Sequence, residues 1–235
     1  MSALSARERM LGRLRAAAPA AATTAAVDAL DARIDAHFDN RRAPATPAGL
    51  AQAMQAALDA AHTQVWCASG DAWPAQLAHR LAAAGVRRLL LDPAGAEGAA
   101  LAQALPAGVA ALAYDRPIED WKAELFDTVD AGFTVARSGI AATGTLILAP
   151  DARTPRTVSL VPPLHVALVY ADTLHADLHA AARAERWRDG MPTNLVLVSG
   201  PSKTSDIQQT LAYGAHGPRA LWVVIVTRTA SADAR

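Results

Sequence analysis

Apolar residues recur at helical spacing three times before residue 60. Met10, Leu11, Leu14 and Ala17 form one stripe, Val27, Leu30, Ile34 and Phe38 a second, and Leu50, Met54 and Leu58 a third. Each spacing predicts an amphipathic helix. Ser5-Ala-Arg-Glu8 reads as a capping box, in which the serine caps free N–H groups and the glutamate reaches back. Pro19 ends the first helix, and the second begins near Thr24. Arg41–Gly49 reads as a linker, within which Thr46 caps the third helix with Pro47 at its first position. Residues 1–45 are therefore expected to form an N-terminal helical arm, with the main domain over residues 46–235.

From residue 64 the rhythm changes. Short apolar runs at 64–68, 86–91 and 109–114 predict strands. Helical patterns at 74–84, 97–104 and 118–126 alternate with them. Further strands are predicted at 131–136, 145–149, 158–160, 165–170, 194–199 and 220–226. A helix is predicted over 173–187, capped by Asp172, and a short helix before His216. This alternation predicts a parallel sheet covered on both faces, an α/β fold of three layers.

Composition narrows the picture. Lys+Arg and Asp+Glu are both 22, so the formal net charge is zero. A nucleic-acid binder needs a basic surface to displace counterions from phosphates, and here only the first helix is locally basic. Small molecules or protein partners fit better. The longest strongly apolar run, Leu221–Val226, falls far short of the ~20 residues of a membrane helix. With no signal-peptide pattern at the N-terminus either, a cytoplasmic location is expected. Cys67 is the only cysteine. One cysteine excludes an internal disulfide, and an all-cysteine zinc or iron–sulfur site held by this chain alone. It reads as a buried strand residue.

Three loops carry candidate chemistry. The run Asn194-Leu-Val-Leu-Val-Ser-Gly-Pro-Ser-Lys-Thr-Ser-Asp206 predicts a strand ending in Gly200 and Pro201. Ser202, Lys203, Thr204, Ser205 and Asp206 follow as a polar turn. Such a turn beyond a strand end can expose backbone N–H groups as an anion nest, with hydroxyls and an ammonium beside them. It reads equally as a plain turn with capping hydroxyls. It is not a Walker A loop, which needs a Gly-Lys pair. Ser138-Gly-Ile-Ala-Ala-Thr-Gly-Thr145 offers Thr143, Gly144 and Thr145, as a ligand loop or as a hairpin with a glycine bulge. His216-Gly-Pro-Arg219 offers an acid–base or anion-binding histidine, Gly217 for close approach, and an arginine able to clamp a carboxylate. His175 and His179 have metal-chelating spacing on the predicted helix but no evident third ligand. Dinucleotide-binding and serine-hydrolase fingerprints are absent.

Three segments in order, Ser138-Gly-Ile-Ala-Ala-Thr-Gly-Thr-Leu-Ile-Leu148, Ser159-Leu-Val-Pro-Pro-Leu-His-Val166 and Gly200-Pro-Ser-Lys-Thr-Ser-Asp-Ile-Gln-Gln-Thr-Leu211, followed by Gly214-Ala-His-Gly-Pro-Arg219, resemble the lactate-utilization (LUD) domain family. The closer resemblance is to its lactate-utilization protein C branch. It implies a fold like that of the NagB/RpiA/CoA-transferase group and a place in the oxidation of L-lactate to pyruvate. It also implies iron–sulfur clusters on partner subunits, with none on this chain, and a small carboxylate or phosphate ligand. The chain departs from the family pattern at Ala142 and Gln208, where carboxylates are common. Alanine cannot take a proton, and glutamine keeps the hydrogen-bonding shape without the charge. The leading expectation is an accessory, ligand-binding subunit. An independent enzyme acting on a phosphate- or CoA-bearing molecule is the alternative, and a scaffold that self-associates through the arm is the third.

Overall fold

The computed structural model describes residues 5–18, 23–40, 46–205 and 211–227. The chain divides into two compact units, residues 1–43 and 44–235. The first holds α1 (Ala6–Ala17) and α2 (Thr24–Asp39). The capping box forms as the sequence predicts. Ser5 Oγ accepts from the Glu8 N–H at 3.2 Å, and Glu8 Oε2 accepts from the Ser5 N–H at 2.7 Å. No residue of α1 or α2 is buried, and Met10 and Leu14 are largely exposed.

The second unit begins with α3 (Pro47–Ala60), capped by Thr46 as predicted. Then come β1 (Gln64–Ser69), α4 (Trp73–Ala83), β2 (Arg88–Leu90), α5 (Ala96–Ala104), β3 (Ala110–Leu112), α6 (Lys122–Asp127) and β4 (Ala131–Val135). The chain continues through β5 (Ser138–Ile140), β6 (Thr145–Leu148), α7 (Arg156–Leu160), β7 (Leu164–Tyr170), β8 (Leu174–His175), α8 (Leu178–Ala184) and β9 (Val196–Val198). It closes with β10 (Lys203–Ser205), β11 (Leu211–Tyr213) and β12 (Ala220–Thr227).

Six strands form one sheet in the order β1-β12-β7-β4-β2-β3, and every neighbouring pair is parallel. The continuous apolar runs of β7 and β12 are buried on both faces, as a covered parallel sheet requires. On one face α4 and α5 pack Trp73, Leu77, Leu81 and Leu101 against Phe133, Val166, Leu168 and Val224. On the other, α3 brings Met54 and Leu58 onto Ala167, Val169, Val223 and Ile225. The three-layer α/β reading therefore holds. The second face carries one addition, a four-stranded sheet in the order β8-β5-β6-β9. The runs at 145–149 and 194–199 belong to this smaller sheet.

Four local readings change. Residues 158–160 form the end of α7 instead of a strand, because Val158 turns inward against Trp121 and Leu125. The 173–187 helix starts only at Leu178. Asp177, not Asp172, caps it by accepting from the Ala180 N–H at 2.7 Å, while Leu174 and His175 pair with β5. His175 and His179 therefore do not share a helix. The segment just before His216 contains β11. Cys67 is exposed, because β1 is an edge strand; its thiol meets Gln55 Oε1 at 3.7 Å, and partial burial raises its pKa.

Candidate functional site

Side chains alternate along β7, so His165 points to the same face as Ala167 and Val169, toward the smaller sheet. It is 1% exposed. Its Nε2 lies 2.8 Å from Thr134 Oγ1 on the adjacent β4. Burial pushes its pKa down to about 4, so the ring is neutral at pH 7 and serves as a hydrogen-bonding group. Ser159, at the end of α7, is buried too and donates to the Arg156 carbonyl at 3.0 Å.

Above His165 opens a cleft of about 210 Å³ between the parallel sheet and β9. Its walls are Ser159 and Leu160, the strand Val196–Val198 with Ser199, the strap Gly200 and Ser202, and the loop His216-Gly217-Pro218. Strap and loop are knitted by backbone. The Ser202 N–H donates to the Pro218 carbonyl at 2.8 Å, and the Gly214 N–H to the Ser202 carbonyl at 2.9 Å. A Cβ on Gly217 would come within 3.2 Å of Ser202 Cβ, so glycine is what lets them close up.

The residues predicted from sequence are thus partly gathered and partly dispersed. Gly200, Ser202, His216 and Gly217 meet in this cleft. Pro201 and Lys203 line a second cleft, on the outer side of the same strap, which also touches Ser199 and Gly200. Thr204 and Ser205 pair with β11. Asp206 and Gln208 lie outside the described residues. Thr143 and Thr145 lie behind the cleft. Thr143 Oγ1 is 2.7 Å from Thr145 Oγ1, which is 2.7 Å from Ser199 Oγ, so a hydroxyl relay reaches the cleft through Ser199. Gly144 serves packing. At φ 60° it lies against α3, where a Cβ would sit 2.9 Å from the Leu58 nitrogen. Arg219 lines a separate groove with Gln64, Asp130 and Trp222, at the amino ends of the parallel strands.

The anion nest expected at residues 200–206 takes a different form. The Ser202 N–H is committed to Pro218, and Lys203–Ser205 run as a strand. Nor does the strap follow a parallel strand: β9 pairs antiparallel with β6. The cleft lies at the amino ends of β7 and β12. The strand-order reversal between β2 and β4 instead opens on a crevice of about 220 Å³ lined by Asp92, Glu97 and Asp151, where Tyr170 Oη donates to Glu97 at 2.8 Å. None of the sequence-predicted site residues is there. Sequence reasoning passed over His165 and Ser159 as site residues, although both stand in the second quoted segment. The available signal was a histidine set in an otherwise apolar strand. Among the described residues no group of three His, Cys, Asp or Glu is poised to hold a metal.

A wholly parallel six-stranded sheet with helices on both faces, and a smaller sheet leaning on it beside the cleft, define an α/β protein of three layers. A profile of the LUD domain matches residues 51–226, and the chain belongs to the LUD domain family. It is 38% identical to an uncharacterized protein of Neisseria meningitidis serogroup B over 95% of this chain and 94% of that one. It is 35% identical to lactate utilization protein C of Deinococcus radiodurans, over 61% of this chain and 65% of that one. It is 34% identical to lactate utilization protein C of Shouchella clausii, over 43% and 46%. The alignments to these two lactate utilization proteins thus span about half to two thirds of their length. The crystal structure of a DUF162 family protein from Deinococcus radiodurans superposes with a TM-score of 0.56 at 25% identity, covering 78% of this chain and 99% of that one.

Proposed function

We propose that this protein is a component of a lactate-utilization system, and that the cleft over His165 holds a small carboxylate such as a 2-hydroxy or 2-oxo acid. The observation that carries the reading is the convergence of Ser159, His165, Gly200, Ser202 and His216 on one cleft in a chain of this family. The names of the relatives supply the system. A neutral imidazole and hydroxyls suit a small hydroxylated or carbonyl-bearing acid. They supply directed hydrogen bonds without the desolvation cost of a buried charge. His216, at the exposed mouth, is the group available to move a proton. The electrons of lactate oxidation pass, in this reading, to iron–sulfur partner proteins, and this chain holds and orients the acid.

The test has two arms. Deleting the gene should abolish or slow growth on L-lactate, with rescue by wild type and poor rescue by His216→Ala. Purified protein should gain thermal stability with L-lactate or pyruvate. At 100 times the dissociation constant, a bound ligand adds roughly 2.7 kcal/mol. Unchanged growth together with no shift would sink the proposal. A shift with acyl-CoAs alone would move the protein to the class of independent enzymes.

A further inference from the structure

The strap Gly200–Lys203 has two sides, and its outer side is the more cationic. We propose that the outer cleft is a second binding site, for a small oxyanion of the phosphate class. The inference does not depend on a role in lactate use.

The outer cleft holds about 470 Å³, more than twice the inner one. Four side chains give it its chemistry: His62, Lys203, Tyr213 and Ser199. No carboxylate lines it among the described residues. Lys203, exposed on β10, forms no ion pair among them. Ser199 is held by the hydroxyl relay through Thr145, so its orientation is set before any ligand arrives. An ammonium, an imidazole, a phenol and a hydroxyl make a set rich in donors. Phosphate, with several acceptor oxygens and between one and two negative charges at neutral pH, matches that set better than a monocarboxylate does.

His62 sharpens the argument. It follows α3 in the left-handed region, at φ 60°, as one of two described non-glycine residues with positive φ. The helix end requires that conformation: the Thr63 N–H closes on the Leu58 carbonyl at 3.0 Å, and the His62 N–H on Asp59 at 3.0 Å. Glycine meets the requirement without strain and is the usual residue there. This chain places an imidazole instead, and its ring stands edge-on to Tyr213 with centroids 6.2 Å apart. A side chain kept in a costly backbone conformation at the rim of a cavity points to a function for that side chain. The competing account is that His62 and Lys203 only offset the carbonyl end of α3. It predicts a change in stability and no dependence on phosphate.

The experiment titrates inorganic phosphate against the full chain at constant ionic strength, by calorimetry and by thermal unfolding. It uses wild type, Lys203→Ala, His62→Gly and His216→Ala. Phosphate stabilises most folded proteins by exclusion from their surface, an effect common to all four, so the differences are what count. His62→Gly keeps the backbone conformation and removes the ring. Wild type should bind saturably. Lys203→Ala and His62→Gly should each weaken binding about tenfold or more, as loss of a charge-assisted contact does. His216→Ala, in the inner cleft, should bind phosphate like wild type. Equal phosphate curves for wild type, Lys203→Ala and His62→Gly would overturn the site. So would loss of phosphate binding in His216→Ala. Binding of L-lactate lost in Lys203→Ala, with no phosphate binding in wild type, would overturn the ligand class. Failure of the lactate growth test leaves these results standing.

Discussion

His165 shows how one side chain couples the fold to pH. Its pKa falls from 6.5 to about 4 because burial disfavours the charged ring. Between those values the unfolded chain binds a proton that the folded chain does not. Stability from this group is therefore complete above pH 6.5 and lost as pH falls toward 4. The loss is on the order of 3 kcal/mol. Burial lowers the pKa of His175 as well, opposed by Glu185 and Asp177, so it acts in the same direction. Urea unfolding at pH 7 and pH 5 should show wild type losing more stability than His165→Gln, and equal losses would refute the assignment. Gly144 is a packing residue that resembled a site residue. Gly144→Ala should cost roughly 1–3 kcal/mol through strain and overlap with α3, while leaving lactate and phosphate titrations unchanged in the folded fraction. In sequence, Gly144 between two threonines and Gly200 before proline look alike. Only the contact with Leu58 separates a packing glycine from one beside a cleft.

At the scale of elements, local chemistry was readable where it was self-contained. Ser5-x-x-Glu8 and Thr46-Pro47 announce their helices because both partners of each cap lie within one turn. The stretch after Tyr170 misled because Leu174 is claimed by β5, a partner more than thirty positions upstream. What anchors α8 is equally remote. Glu185, 8% exposed in its side chain, accepts from Ser138 Oγ, pairs with Arg137 Nε at 3.2 Å and accepts from Trp187 Nε1 at 3.0 Å. Glu185→Ala leaves the buried Ser138 hydroxyl without that partner, at a cost of roughly 1–3 kcal/mol. Hydrogen exchange over residues 178–184 should quicken in that variant, with β7 and β12 still protected. Uniform quickening across the sheet would mean that Glu185 holds the whole unit instead of one helix.

For the whole molecule, the buried apolar residues among those described run from Ala51 to Val226, all within the second unit. Residues 46–235 alone should therefore unfold cooperatively, with a denaturant midpoint close to that of the full chain. A fragment lacking a sharp transition would show that the arm supplies part of the core. Among the described residues no helix is long and apolar enough to cross a membrane. By itself, the sequence determined the α/β class, the parallel sheet, the arm and most helix starts. These follow from periodicity and from caps, which act over a few residues. It also marked the strap at Gly200–Lys203 and the loop at His216–Pro218. Tertiary structure alone decided that these meet over His165, that Arg219 lines a separate groove, and that the strap divides one cleft from another. The reason is physical. A strand's side-chain alternation says which residues share a face. Which face meets a cleft depends on sheet order and on where β9 docks, and long-range packing sets both.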